Sequence, residues 1–151
     1  MDKVGRWGRG MSRIYWDTML FIYLFEGHPT FQPRTRQLLE RARRRGDSLY
    51  TSYLALGEVM AGAEKSQNPQ KAKTVREIIR EMGFSCLPFD EGAVAPFSRL
   101  RSREKVKIAD SIHLASAASA GIDLFLTGDK QLAKLDVPGI QFIADFNTPV
   151  L

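Results

Sequence analysis

The sequence predicts an α/β fold, one parallel sheet covered by helices on both faces, and three features predict it. Short apolar runs alternate with longer stretches of helical periodicity. Glycine or proline marks most of the boundaries between them. The 151 residues are 44% hydrophobic, enough to build one core without disulfides. Strands separated by helices are joined by right-handed crossovers and therefore run parallel.

Each element follows in turn. Arg13–Asp17 reads as the first strand, with Tyr15 and Trp16 favouring β structure. Thr18–Phe25 is apolar almost throughout and reads as a buried helix, broken by Gly27-His28-Pro29. Pro33–Arg45 is helical, with Leu38, Leu39 and Ala42 inward, arginines outward and Gly46 as its stop. Ser48–Ser52 is a short strand. Tyr53–Lys65 is a helix carrying Leu54, Leu56, Val59 and Met60. Asn68-Pro69 turns the chain into Gln70–Met82, whose apolar stripe is Val75, Ile78 and Ile79. Phe84–Phe89 is the third strand, and Asp90 is placed to cap the helix Glu91–Arg101. A charged connector, Arg101–Lys107, leads to the small-residue helix Ile108–Ala120, ended by Gly121. Ile122–Leu126 is the fourth strand, Lys130–Leu135 a short helix, and Ile140–Ala144 the fifth strand.

Residues 1–12 read as a flexible basic extension and residues 13–147 as a single domain of about five strands. The net charge of +5 is compatible with a nucleic-acid partner. No stretch approaches the roughly 18 uncharged residues of a membrane span. The basic start followed by Ile14–Phe25 loosely imitates a secretory signal, but Asp17 interrupts it and no small-residue cleavage site follows. The lone Cys86 reads as a small core residue suited to a reducing cytosol, so a cytoplasmic protein is expected.

Four acids stand in unexpected places. Asp17 and Asp129 lie just beyond the apolar runs of the first and fourth strands, where parallel sheets gather functional groups. Glu58 and Asp110 lie on apolar helices. Each has a plain alternative: Asp17 and Asp129 as helix caps, Asp110 as a complement to its helix dipole, Glu58 as a solvent-facing residue. Together they fit one site neutralised by a hard cation, and an oxygen-only set suits Mg²⁺ or Mn²⁺ rather than Zn²⁺. His113 lies three residues after Asp110 on one helical face, placed to orient an acid. Arg41, Arg44 and Arg45 form one candidate surface for backbone phosphates, and Arg99, Arg101 and Arg103 another. Either can equally be a solvated helix face. The apolar set Phe21, Tyr23, Leu24 and Phe25 is too rich for one stripe, and its surplus suits a contact with another chain.

At these residues the chain resembles the PIN-domain ribonucleases, particularly VapC-type toxins of toxin–antitoxin pairs, from about Tyr15 to Phe146. Asp17-Thr18 with Phe21–Gly27 resembles the first motif, Ser52 through Glu58 the second, Ala109-Asp110-Ser111-Ile112-His113-Leu114-Ala115-Ser116-Ala117 the third, and Phe125-Leu126-Thr127-Gly128-Asp129-Lys130 the fourth. The resemblance implies Mg²⁺-dependent hydrolysis of RNA. Asp17, Glu58, Asp110 and Asp129 would act as catalytic and metal-binding acids, supported by Thr18, Ser111, His113 and Thr127. It also implies a cognate antitoxin and a homodimer. Two positions depart from the pattern: Met19 stands where Asn or Ser is frequent, and Ala55 where Thr is. Other readings remain: a PIN-type nuclease of RNA processing, and a nucleic-acid- or protein-binding module without catalysis. A phosphoacceptor receiver domain fits poorly, because it wants an acidic pair at the first strand and only Asp17 is there.

Overall fold

The computed structural model describes residues 11–65 and 70–151. Among them the strands are β1 (Arg13–Trp16), β2 (Ser48–Ser52), β3 (Ser85–Leu87), β4 (Leu124–Thr127) and β5 (Phe142–Asp145). The helices are α1 (Thr18–Glu26), α2 (Gln32–Arg45), α3 (Tyr53–Glu64), α4 (Gln70–Glu81), α5 (Glu91–Ser102) and α6 (Ile108–Ala120). A 3₁₀ turn, Leu132–Lys134, precedes β5. The sheet is parallel in the order β3-β2-β1-β4-β5. The α/β architecture is the one that the alternation of apolar runs and helices predicts.

Side-chain alternation along β1 divides the core. Ile14 and Trp16 face Leu20, Leu38, Leu56 and Ile79 of α1 to α4. Tyr15 faces the opposite layer, where it meets Phe125 of β4 with Leu100 of α5 and Leu114 of α6. Tyr15 stacks on Phe125 with centroids 4.6 Å apart. That stacking follows from the register, which sets Tyr15 beside Phe125. The aromatic residues of α1 are largely absorbed within the chain. Phe21 is fully buried against Trp16 and Phe84, and Tyr23 packs among His28, Phe31 and Phe146.

Several boundaries differ from the sequence reading, for local reasons. The run Phe84–Phe89 yields only three strand residues, because β3 is an edge strand paired with β2 over Ser85–Leu87. Phe84 instead turns into the core against Trp16 and Phe21. Ile122 still closes the end of α6 by donating to the Ala117 carbonyl, so β4 starts at Leu124. The Ile140 amide closes a turn onto Val137, which delays β5 to Phe142. The short helix expected over Lys130–Leu135 is the single 3₁₀ turn. Asp90 flanks α5 but makes no side-chain cap; its carboxylate accepts from Ser119 at 2.6 Å and ties the start of α5 to the end of α6. Ser12, assigned to the extension, is buried, and its amide donates to Asp47. Residues 1–10 and the Asn68-Pro69 turn lie outside the described residues.

Gly139 has φ +101°, and an added Cβ would lie 2.6 Å from the Ala118 carbonyl oxygen. Gly46 has φ +76° and open space around it. We therefore expect Gly139→Ala to cost about 2–3 kcal/mol, from clash plus strain, and Gly46→Ala about 1–2 kcal/mol, from conformation alone. Thermal unfolding should separate them, at about 2–4 °C per kcal/mol. Equal losses would contradict the close approach at Ala118.

Candidate active site

The order of the strands places the site. From β1 the chain builds outward to β2 and β3, then crosses to β4 on the other side of β1. Such a reversal opens a crevice beyond the carboxyl ends of the two strands that flank it. Asp17 follows β1 and Asp129 lies two residues past β4. Asp110 is in the first turn of α6, which runs back to the start of β4, and Glu58 is midway along α3. All four acids, with His113, Lys65 and Lys130, line one cleft of about 770 Å³.

Asp17 is held on both oxygens. Oδ1 accepts the Thr18 amide at 2.8 Å, capping α1, and Oδ2 accepts the Thr127 hydroxyl at 2.9 Å. Its own amide donates to the Leu126 carbonyl at 3.0 Å, continuing the β1–β4 pairing. The cap and the cleft position are thus one arrangement, not alternatives. The polar neighbour absent at Met19 is supplied by Thr127, from another strand. Thr127 also accepts the Asp129 amide at 3.0 Å, while Asp129 Oδ1 accepts the Gln131 amide at 2.8 Å.

Glu58 is held from two elements. Its Oε1 accepts the Thr18 hydroxyl at 2.8 Å and faces His113 Nε2 at 2.7 Å. The His113 hydrogen bond holds the Glu58 carboxyl below the usual range, against partial burial, with Thr18 adding to the effect. Burial alone would lower the His113 pKa, but the Glu58 hydrogen bond and the charges of Asp17, Glu58 and Asp110 outweigh it and raise the pKa. Asp110 is raised, first by burial and then by the Asp17 charge; Asp129 adds to this, and His113 and Lys107 oppose it.

Other expected residues fall differently. Thr18 and Thr127 contact the acids, whereas the Ser111 hydroxyl donates to the Val106 carbonyl at 3.2 Å and secures the start of α6. Arg45 is paired with Asp47 at 2.8 Å, the same carboxylate that holds the Ser12 amide, at the sheet end opposite the acids. Arg44 pairs with Glu40 and Arg41 donates to the Leu151 carbonyl. Arg41 and Arg45 are therefore engaged by contacts within the chain, while Arg44 stays largely exposed. Arg101 donates to Val106, near the start of α6. Arg99 and Arg103 line a separate cavity of about 190 Å³ with Glu104 and Asp136. The sequence reading missed Tyr15 and Ser52 beneath His113, and Lys65 and Lys130 in the cleft. Lys130 directly follows Asp129 and was the one legible signal among them.

Among the described residues, no three His, Cys, Asp or Glu side chains close into a ready metal cage. The donor set nonetheless fits a hard cation. It is all carboxylate, and Asp110 carries the mutual repulsion of Asp17 and Asp129 that such a cation would neutralise.

Comparison with known proteins identifies the fold. The PIN domain family model matches residues 14–138. A toxin–antitoxin complex from Klebsiella pneumoniae is 26% identical with a TM-score of 0.63, covering 84% of this chain and 94% of that one. VapBC2 from Rickettsia felis, bound to a DNA fragment from its promoter, has a TM-score of 0.72 at 14% identity, covering 88% and 98%. VapC20 from Mycobacterium tuberculosis, a Sarcin-Ricin loop cleaving toxin, has a TM-score of 0.63 at 15% identity, covering 82% and 96%. No curated protein matches by sequence.

The His113–Glu58 pair makes stability depend on pH. The raised His113 contributes fully below its ordinary 6.5, and that contribution is lost as pH rises through the folded value. The depressed Glu58 contributes above its ordinary 4.5, and that is lost as pH falls through the folded value. The pair is thus most stabilising between about 4.5 and 6.5, and weakens on either side. In metal-free protein, NMR titration should place His113 above 6.5, and Glu58→Gln should bring it down. An unmoved midpoint would remove Glu58 as the cause.

Proposed function

This chain belongs to the PIN domain family, whose members are generally nucleases, and from that premise we propose that it is a Mg²⁺- or Mn²⁺-dependent endoribonuclease, the toxin of a type II toxin–antitoxin pair. The observation that carries this reading is the meeting of Asp17, Glu58, Asp110 and Asp129, from four separate elements, in one cleft that also holds Lys65 and Lys130.

Those four acids would hold the cation. When bound, it supplies Lewis acidity beside the scissile phosphate and offsets charge on the phosphate and the carboxylates. The chain's own contribution is positional. Thr127 and the start of α1 fix Asp17; Thr18 and His113 fix Glu58. A cleft of bare carboxylates repels a polyanion, so Lys65 and Lys130 serve to draw backbone phosphates toward it. Arg99, Arg101 and Arg103 are exposed and form a second candidate surface for backbone phosphates beside that of Arg41, Arg44 and Arg45.

The toxin assignment draws on the Klebsiella pneumoniae relative, which was solved as a toxin–antitoxin complex. A cognate antitoxin, a homodimer and action on cytoplasmic RNA belong to the same proposal. No helix among the described residues is long and apolar enough to cross a membrane.

Cutting of a structured RNA should require Mg²⁺ or Mn²⁺ and be abolished by Asp17→Asn or Asp110→Asn, with circular dichroism unchanged. Equal cutting by wild type and both variants would remove the proposed site. The same cation should raise the melting temperature of the wild type, since it binds only the folded cluster, and raise that of Asp110→Asn less. A wild type indifferent to the cation would remove the shared metal site. Controlled expression should arrest growth, and the small gene adjacent to this one should relieve it. Cutting without either effect would point to a processing nuclease instead.

A further inference from the structure

Beneath Glu58 lies a buried polar group that is not part of the carboxylate set. Tyr15, Ser52 and His113 are 0%, 1% and 2% exposed. The Tyr15 hydroxyl is 2.7 Å from His113 Nδ1 and 2.8 Å from Ser52 Oγ, and Ser52 Oγ is 3.3 Å from the same Nδ1. On the other side of the ring, Nε2 is 2.7 Å from Glu58 Oε1 and 3.7 Å from Asp17 Oδ1. The ring thus meets the cleft through Nε2 and the sheet through Nδ1.

Counting donors assigns the tautomer of the neutral ring. A carboxylate only accepts, so Nε2 carries a proton toward Glu58. In the neutral imidazole Nδ1 is then an acceptor, and it faces two hydroxyls. One of them donates to Nδ1 and the other to its neighbour's oxygen, while Ser52 also accepts the Ala55 amide at 3.1 Å. Burial pushes the Tyr15 phenol well above its ordinary 10.0, so it keeps its proton and remains a donor. The tautomer set by these contacts is Nε2–H.

We propose that His113, seated by Tyr15 and Ser52, is a positioning residue that presents Glu58 to the cleft through one oxygen. The proposal rests on the reading of the cleft as a metal-dependent active site. Both donors to Glu58, the Thr18 hydroxyl and His113 Nε2, converge on Oε1, which leaves Oε2 for a cation or water. Glu58 is a long side chain on α3, and its partial exposure would let it swing without this clamp. His113 also shares a face of α6 with Asp110, so the clamp ties the acid of α3 to the turn that carries the acid of α6. Partners that orient a ligating carboxylate in this way typically carry about 10–100-fold in metal affinity.

The test uses the full chain with Mn²⁺ as probe. In metal-free wild type, ring ¹⁵N shifts recorded above the titration range of His113 should show the Nε2–H tautomer. The Glu58 carboxyl ¹³C resonance should move in His113→Ala, and less in His113→Gln, whose amide can donate to Oε1. Mn²⁺ affinity should fall about 10–100-fold in His113→Ala, recover in part in His113→Gln, and fall between these limits in Tyr15→Phe. Tyr15→Phe keeps the stack on Phe125 and removes only the hydroxyl. An Nδ1–H tautomer overturns the proposal, as does wild-type Mn²⁺ affinity in folded His113→Ala. If His113→Ala does not fold, an unchanged Glu58 resonance in folded Tyr15→Phe overturns it. A wild type that binds no Mn²⁺ sinks the metal reading instead, and the two resonance measurements still decide the role of His113.

Discussion

The buried Thr127 hydroxyl joins the two strands that carry the site, and the rest of the cleft depends on it. It donates to Asp17 beyond β1 and accepts the amide of Asp129 beyond β4. The contact to Asp17 requires β1 and β4 to be in register, Trp16 opposite Leu126. Slipping β1 by one residue would exchange the faces of Tyr15 and Trp16 and take Asp17 away from Thr127. The core resists that slip, since Trp16 packs in one layer and Tyr15 in the other. Core packing therefore sets the position of the Asp17 carboxylate.

Gathering four acids costs stability, and the fold offsets that cost unevenly. Asp17 has the amide at the start of α1 and a hydroxyl. Glu58 has a hydroxyl and an imidazole. Asp110 has the distant charges of His113 and Lys107 against burial and two neighbouring acids, which is why its proton is held more tightly than usual. The uneven support makes Asp110 the acid with most to gain from a cation. A folded cluster that is strained in this way keeps its affinity for charge because the surrounding sheet and helices hold it together.

Much of this was legible in the sequence where a signal is local. The bounds of β2 and α6, the stops at Gly46 and Gly121, and the placement of four acids at one end of the sheet all follow from patterns within a few residues. What was not legible depends on contacts that only the fold makes, several of them between positions distant in the chain. Asp90 looks like a cap until α6 brings Ser119 to it. Phe84–Phe89 looks like a long strand, but the sheet edge gives it only the partners that β2 offers. Arg45 looks free until the loop before β2 returns Asp47 to it. Ser111 lies in the third motif, directly after Asp110, yet its hydroxyl turns to Val106.

Met19 shows how such distant pairs change the meaning of a motif. Read along the chain, it removes a polar neighbour from Asp17. In the folded protein that role belongs to Thr127, 110 positions away, so the loss at position 19 leaves both oxygens of Asp17 engaged. Met19 is instead 40% exposed, lines the cleft and faces Gly128 across it, where an added Cβ would come within 3.8 Å of the methionine. Position 19 therefore belongs to the wall of the cleft rather than to the hold on its first carboxylate.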